Sequence, residues 1–376
     1  MAGIYLHIPF CKQACHYCDF HFSTSLQLKN SLLESLSKEI LSRKNEIQNA
    51  KIATIYFGGG TPSILEIDEL KKLIEILFVN YEVDDGVEIT LEANPDDLTR
   101  KKIRELKNSG VNRLSIGVQS FFDEDLKYMN RVHNAAMSER SIKASQDAGF
   151  ENISIDLIYG TPTLTNENWK NNLRKSMSFC IPHLSCYALT VEDKTPLASL
   201  IKRKKLELVD DSTIADHFMI MTEILNQHGF GQYEISNFSM PGFRSKHNSS
   251  YWEGKPYIGF GPGAHSFNGI NKRRWNISNN PQYIHQINAG ETYFEEETLT
   301  ERDQYNEFIM TKIRLIDGIP LKEIEKNFGS EYKRYLLNRV GTWKRDTYFL
   351  HNDSINLTNG GKIISDQLAA DLFIIS

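Results

Sequence analysis

The chain has 376 residues, of which 40% are hydrophobic, 24% charged and 11% aromatic. This is ordinary globular composition and excludes a disordered or collagen-like chain. With 43 Lys and Arg against 48 Asp and Glu, the net charge of −5 favours no nucleic-acid partner. The apolar runs are far shorter than the roughly 18 residues needed to cross a bilayer, and the first residues lack the basic start of a secretory signal. We therefore expect a cytoplasmic protein with no transmembrane segment.

The cysteines are unevenly distributed. Three of the five stand in one C-x3-C-x2-C run at 11–18, and Cys180 and Cys186 are far from it. An odd, clustered set does not resemble the disulfide framework of a secreted protein and instead indicates metal binding in a reducing compartment. Cys180, His183 and Cys186 lie in or next to an apolar run, so we expect buried core residues there rather than a second metal site.

The first half of the chain alternates β-rich runs with amphipathic helix patterns. The spacing predicts helices over 28–44, 67–79 and 99–109, the last with Thr99 as N-cap and Gly110 just past its end. Right-handed crossovers would join such βα units into a parallel sheet or partial barrel over residues 1–200. Six strands are predicted, over 3–8, 52–57, 87–93, 113–118, 152–158 and 183–189.

The βα alternation ends near residue 200. A long helix is predicted over 210–227, and the Gly- and aromatic-rich stretch 229–276 shows little periodicity. We expect 201–299 to be a loop-rich segment that covers the open end of the barrel. Beyond residue 300, helices are predicted to about 315, over 321–327 and over 331–342, and short β-like pieces follow them. We therefore expect 300–376 to be a small, mostly helical, winged-helix-like domain.

The C-x3-C-x2-C run directly follows the first predicted strand. Soft thiolate ligands select an iron–sulfur cluster or zinc. A cubane cluster held by three cysteines leaves one iron open to chelate a small molecule, whereas a structural zinc site closes all four positions. The spacing favours the cluster. Zinc, with His7, His16 or His21 as the fourth ligand, remains the alternative.

Polar or glycine-rich positions follow the other predicted strands. The turn Gly58-Gly59-Gly60-Thr61-Pro62 comes after the second strand, and Glu92, Gln119 and Asp156 lie at or near the ends of the next three. Ligands of βα folds bind at the carboxyl ends of the strands. We therefore expect these groups to hold the hydroxyls and amine of a nucleotide-like cofactor, although each one alone would more simply cap the following helix.

Together with the cysteine run, several motifs carry a family resemblance. They are YLHIPFC, FGGGTPS, LEANPDDL, LSIGVQSF, NISIDLIYGTP and YALTVED, within residues 3–193, and YEISNF and KHNSSYW further on. This set resembles the radical S-adenosylmethionine (radical SAM) superfamily and, within it, the oxygen-independent coproporphyrinogen III oxidase family with its heme-chaperone branch. The resemblance implies an α/β fold, a six-stranded parallel partial (β/α) barrel with a smaller C-terminal domain.

The resemblance also implies cofactors and their residues. Cys11, Cys15 and Cys18 would hold a [4Fe-4S] cluster whose open iron binds SAM, and the reduced cluster would split SAM into methionine and a 5′-deoxyadenosyl radical. The positions that match the SAM site of the family are Tyr5, Tyr17, Gly59, Gly60, Thr61, Glu92, Gln119, Arg131 and Asp156.

Two departures favour the chaperone branch over the oxidases. The pattern of the oxidases has a further cysteine two residues after the third, and Phe20 stands at that position here. The oxidases also carry an N-terminal extension, whereas only ten residues precede Cys11. The HNxxYW motif at 247–252 is typical of the chaperones. It implies heme contacts from His247, Tyr251 and Trp252, with His265 as a second candidate for the axial ligand.

The resulting hypothesis is a heme chaperone that delivers heme to apo-hemoproteins, including respiratory ones, with peripheral membrane contact during delivery. It leaves open whether SAM is cleaved in the normal cycle, and so whether the protein is an enzyme, and whether it forms a homodimer. The alternatives are an oxygen-independent coproporphyrinogen III oxidase, which oxidatively decarboxylates two propionate side chains, and a zinc-stabilised binding module without redox chemistry.

Overall fold

The structure is a computed structural model that describes residues 1–47 and 50–375. Its first half is a run of parallel strands, each followed by at least one helix. The strands are β1 (Ala2–Ile8), β2 (Ile52–Gly59), β3 (Val83–Ala93), β4 (Arg113–Gln119), β5 (Asn152–Tyr159) and β6 (His183–Ala188). The helices are α1 (Lys29–Ser42), α2 (Ile67–Asn80), α3 (Arg100–Asn108), α4 (Asp123–Tyr128), α5 (Ala135–Asp147), α6 (Asn166–Ser178) and α7 (Pro196–Lys202).

The six predicted strands are confirmed, and they pair in chain order from β1 to β6, all parallel. Their outward residues pack against the helices, which present apolar residues at helical spacing, such as Leu32, Leu36 and Ile40 of α1. The predicted cap of α3 is also confirmed, because the Thr99 side chain accepts a hydrogen bond from the Lys102 backbone amide. Local signals and sheet packing therefore agree over this half of the chain.

The segment after residue 200 extends the sheet at both edges. It contains α8 (Asp211–Gln227), β7 (Gly231–Gln232), β8 (Asn237–Ser239), α9 (Lys246–Trp252), β9 (Tyr257–Phe260), β10 (His265–Phe267), β11 (Lys272–Asn276), α10 (Asn280–Ala289) and β12 (Phe294–Thr298). Strand β8 pairs antiparallel with β6, and β9 pairs parallel with β1 at the opposite edge. The twelve strands follow the order β12-β11-β10-β9-β1-β2-β3-β4-β5-β6-β8-β7.

The expectation of little regular structure over 229–276 is therefore wrong. Its strands are two to five residues long, which is too short for a period-two pattern to stand out in the sequence. Instead of forming only a loop-rich cover, the segment completes the sheet. The domain boundaries at residues 200 and 299 stay predictions.

The C-terminal part forms a separate three-stranded sheet with its own hydrophobic cluster. Its elements are α11 (Glu301–Lys312), β13 (Ile319–Pro320), α12 (Leu321–Phe328), α13 (Ser330–Val340), β14 (Tyr348–His351), β15 (Ser354–Leu357), α14 (Asn359–Ile363) and α15 (Ser365–Leu372). The sheet order is β13-β15-β14, and Ile309, Ile324, Leu336, Ile355 and Leu372 lie at the centre of the cluster. The predicted helices at 321–327 and 331–342 are present. Among the helices that the structure describes, none is long and apolar enough to cross a membrane.

Candidate cofactor site

The inner face of the barrel is polar because side chains alternate along each strand. On β4, Leu114, Ile116 and Val118 are buried on the outer face. The residues between them point the other way and line a cavity, namely Arg113, Ser115, Gly117 and Gln119. The same alternation places Glu92 of β3 and Asp156 of β5 on the cavity wall.

This cavity has a volume of about 430 Å³, within the range of small-molecule sites. Cys11, Cys15 and Cys18 all contribute to its wall, and all three are free and partly exposed. They lie on the loop that leaves the carboxyl end of β1. The sequence pattern therefore brings three thiols to the opening of one polar cavity.

Two polar side chains contact the thiols. The Thr61 hydroxyl donates to Cys11 Sγ at 3.3 Å, and Arg131 Nη1 donates to Cys15 Sγ at 3.3 Å. Arg131 is held in place by Asn94 Oδ1, which accepts from its Nη2 at 2.6 Å. A fixed guanidinium next to the thiols would stabilise an anionic cluster. Burial raises the pKa of Cys18 to about 12, and iron would offset this shift because the thiolate is the ligand.

The glycine turn after β2 packs directly on the cysteine loop. A Cβ atom on Gly60 would lie 2.7 Å from the Phe10 carbonyl oxygen and 2.8 Å from that of Ile8. The bare backbone instead makes two hydrogen bonds, from Gly60 N to Ile8 O at 3.0 Å and from Thr61 N to Phe10 O at 2.7 Å. The motif thus fixes the position of Thr61 against Cys11.

Two carboxyl groups share the cavity. Glu92 Oε1 accepts from the Tyr56 hydroxyl at 2.7 Å, and Asp156 Oδ1 accepts from the Ser115 hydroxyl at 3.2 Å. Burial, opposed by the Tyr56 hydrogen bond and reinforced by the charge of Asp156, raises the pKa of Glu92 to about 7. Burial likewise raises the pKa of Asp156 to about 6. Both groups can accept hydrogen bonds from an amine or from hydroxyls.

The backbone at Gln119 is strained. Its φ is 64°, a left-handed value that is uncommon for a residue with a side chain. Such conformations cluster at ligand sites, where the surrounding structure holds them. Gln119 lines the cavity at the end of β4, as the sequence predicted.

Most of the predicted SAM-site positions come together here. Tyr17, Gly59, Gly60, Thr61, Glu92, Gln119, Arg131 and Asp156 all line the cavity. Tyr5 does not. Its ring lies behind Tyr56, with the ring centroids 6.1 Å apart, and its hydroxyl contacts His7 Nδ1 at 3.1 Å.

Sequence reasoning missed other wall residues, which include Tyr56, Asn94, Arg113 and Ser115. Their signal is the polar or small residue at every second position of strands that otherwise look continuously apolar. On β2, Tyr56 alternates with the buried apolar residues Ile55 and Phe57. On β4, Arg113 and Ser115 occupy the same alternate positions as Gly117 and Gln119. Reading the alternation strand by strand would have found them.

The HNxxYW motif is not at this cavity wall, except for Asn248. His247 is 1% exposed, with Thr54 Oγ1 at 2.8 Å from its Nδ1 and the Tyr251 hydroxyl at 2.9 Å from its Nε2. Tyr251 and Trp252 are partly buried. A heme iron would reach His247 only if one of these hydrogen bonds broke. The predicted heme contact of this segment stays a prediction.

The remaining candidates are divided between surface and core. His265 is exposed and stacks on Trp275, with ring centroids 6.2 Å apart. Cys186 and His183 are buried, as expected, but the prediction for Cys180 is wrong because that residue is exposed at the end of α6. Its left-handed φ of 54° turns the chain out of the helix.

A three-cysteine loop at the open end of a parallel βα barrel, next to a polar cavity, is the architecture of a radical SAM protein. The family model described as the radical SAM superfamily matches residues 5–175. The chain is 35% identical to the heme chaperone HemW of Bacillus subtilis, with 98% of each chain covered. It is 32% identical to that of Haemophilus influenzae, with 99% of this chain and 97% of the relative covered. The chain therefore belongs to the HemW family.

The fold is also found in a solved structure. The coproporphyrinogen III oxidase HemN of Escherichia coli superposes with a TM-score of 0.84 over 99% of this chain and 90% of its own, at 21% identity. At this identity the likeness is one of fold. It confirms the predicted α/β barrel of radical SAM type.

A [4Fe-4S] cluster and SAM are the cofactors of this family, and the residues present fit them. Three thiols, a neighbouring guanidinium and a cavity with two carboxyl groups suit a three-cysteine cluster and a ligand with an amine and hydroxyls. Across the described residues, no three His, Cys, Asp or Glu side chains converge closely enough to hold a single metal ion.

Proposed function

We propose that this chain is a heme chaperone that binds heme and delivers it to apo-hemoproteins, including those of respiration. One observation carries the proposal. The similarity to chaperones named HemW extends over nearly the full length of both chains, including the parts outside the radical SAM match at 5–175. We infer that delivery starts from the cytoplasm and involves peripheral contact with the membrane.

The cofactor site has defined roles in this proposal. Cys11, Cys15 and Cys18 hold the cluster, and Arg131 neutralises part of its charge. Glu92 and Asp156 accept hydrogen bonds from SAM. When bound and reduced, the cluster supplies the electron that splits SAM into methionine and a 5′-deoxyadenosyl radical.

Two places are candidates for heme contact. His265 offers an exposed imidazole next to the flat face of Trp275, whereas His247 is enclosed with both ring nitrogens hydrogen-bonded. We therefore propose His265 as the axial ligand to test first. His265→Ala should weaken heme binding in a visible titration, and His285→Ala, at another exposed histidine, is the matched control.

The oxidase is the alternative function. Phe20, at the position of the additional oxidase cysteine, is 67% exposed and lies at the rim of the cavity. No thiol is therefore available at that position for oxidase chemistry. The likeness to HemN concerns the fold and does not carry its activity to this chain.

The experiment uses protein reconstituted anaerobically with its cluster. Heme binding is followed by visible titration, and in parallel coproporphyrinogen is incubated with the protein, SAM and a reductant. Stoichiometric heme binding, transfer to an apo-hemoprotein and no tetrapyrrole product are the expected results. Turnover to protoporphyrinogen would overturn the proposal. Sedimentation of the same preparation measures whether a homodimer forms.

A further inference from the structure

The HNxxYW motif forms helix α9 at the base of the barrel, the end opposite the cysteine loop. The carboxylate of Glu88, on β3, accepts hydrogen bonds from the backbone amides of Lys246 at 3.2 Å and His247 at 3.1 Å. Glu88 is itself buried, 4.0 Å from the Arg113 guanidinium. The start of the helix is thus fixed to the inner face of the barrel wall.

This anchoring places the His247 ring among inward-facing side chains of β1 and β2. The ring stacks on Tyr56, with the centroids 4.8 Å apart and the planes at 24°. Thr54 and Tyr251 hydrogen-bond its two nitrogens, which prevents the ring from rotating. Burial, and then the charge of Arg113, lowers the pKa of His247 to about 3. A neutral imidazole provides one donor and one acceptor, which matches two hydroxyl partners.

Tyr56 connects this ring to the cofactor cavity. Its ring contacts His247 on one side, and its hydroxyl donates to Glu92 at 2.7 Å on the other. The space around it is tight. A Cβ atom on Gly58 would lie 2.9 Å from the rings of Tyr5 and Tyr56 and 3.1 Å from Glu92 Oε1. The absence of a side chain at Gly58 therefore lets the Tyr5 and Tyr56 rings and Glu92 lie close together here.

We propose that His247 is a positioning residue for the cofactor site: its locked ring holds the Tyr56 ring, whose hydroxyl fixes the Glu92 carboxylate at the cavity. The role rests on the proposed binding of SAM by Glu92. Through this contact the His247 ring, which is 1% exposed, supports the SAM site from the base of the barrel.

The experiment is a double-mutant cycle on SAM affinity, measured by equilibrium binding to anaerobically reconstituted protein. His247→Ala and Tyr56→Phe should each weaken SAM binding about tenfold, which corresponds to about 1.4 kcal/mol. The double variant should bind within about twofold of Tyr56→Phe, because without the hydroxyl the position of the ring no longer affects Glu92. Additive losses would overturn the proposal.

Two further variants separate positioning from general damage. His247→Phe retains a flat ring against Tyr56 and should restore SAM affinity to within about threefold of the parent. If His247→Ala does not fold, Thr54→Val removes only one of the two hydrogen bonds on the ring and should weaken SAM binding by a few fold. Unchanged SAM affinity in Thr54→Val, with heme binding lost in His247→Phe, would assign the ring to heme and overturn the proposal.

Failure of the SAM assignment gives a different pattern. Glu92→Gln should weaken SAM binding at least as much as Tyr56→Phe. If Glu92→Gln leaves the affinity unchanged, SAM does not bind through this carboxylate, and both the assignment and the positioning role fall. If Glu92→Gln weakens binding and His247→Ala does not, only the positioning role is overturned.

Discussion

The two ends of the barrel use the same strand faces in opposite ways. Strand β3 carries Glu92 near its carboxyl end and Glu88 four residues earlier, and both point inward. Glu92 lies on the wall of an open cavity, whereas Glu88 is occupied by the two amides of α9 and by Arg113. An inward carboxylate therefore faces the cofactor cavity at one end and anchors a helix at the other. Its depth in the barrel, rather than its residue type, decides its role.

The largest expected effect is at the open end. Cys15→Ala should abolish the cluster, because three thiolates are the minimum for a site-differentiated cubane and two cannot hold it. Iron and sulfide content, the visible absorbance of the cluster and SAM binding should all be lost, while the fold is kept. Cys180→Ala, at an exposed cysteine, is the control and should retain a full cluster. An intact cluster in Cys15→Ala would show that the ligands lie elsewhere.

At the base, Glu88→Gln should reduce stability without removing the cluster ligands. The change leaves the buried Arg113 guanidinium without its nearest carboxylate and weakens the anchor of α9. Removing one partner of a buried ion pair typically costs about 3 kcal/mol. Denaturant unfolding measures the loss, and Glu82→Gln, at an exposed position just before β3, should have almost no effect. Equal stability in the two variants would mean that Glu88 does not anchor the base.

The base should also make the protein sensitive to acid. Burial lowers the pKa of His247 to about 3, whereas an unfolded histidine titrates near 6.5. Its contribution to stability is therefore complete above about pH 6.5 and is lost as the pH falls towards 3. From this shift alone, about 1 to 2 kcal/mol should disappear between pH 7 and pH 5.

His247→Gln isolates this contribution, because all other groups titrate equally in the parent and the variant. The free energy of unfolding should fall less steeply with decreasing pH in His247→Gln than in the parent. Parallel pH profiles for the two proteins would indicate that the imidazole is not enclosed in solution. His265→Gln, at an exposed ring, provides the comparison.

The smallest expected effect is that of Thr54→Val on stability. Val keeps the shape of the side chain but leaves Nδ1 of His247 buried without a partner, which costs about 1 kcal/mol. Thermal or denaturant unfolding measures it, with Thr292→Val at an exposed site as the control. A change of zero would mean that solvent or another group replaces the threonine hydroxyl.

The sequence predicted well where local and long-range signals coincide. The strands at 3–8 and 113–118 and the Thr99 cap were found because hydrophobic patterning and turn residues mark them directly. The cysteine loop and eight of the nine predicted SAM positions lie at one cavity, because most of them stand at or just after the carboxyl ends of strands that meet there. Pairing of β9 with β1 joins residues about 250 positions apart, and no local pattern encodes it.

Two predicted site residues lie away from the cavity wall, namely His247 and Tyr5. The sequence does not reveal how deep in the barrel such side chains lie. Depth results from the stagger between neighbouring strands and from where α9 inserts. Cys180 was misplaced for a simpler reason, since one left-handed residue at the end of a helix turns a side chain from the core to the surface.

The position of β1 has a consequence for synthesis on the ribosome. β1 lies between β2 and β9, and Tyr257 of β9 emerges long after Ile8 of β1. At about 5 to 20 residues per second, this delay is roughly 10 to 50 s. Throughout it, one edge of β1 has no partner strand and is open to pairing with other chains. The cysteine loop adjoins that edge, so we expect the nascent chain to expose its cluster ligands before the last parallel strand closes the sheet beside them.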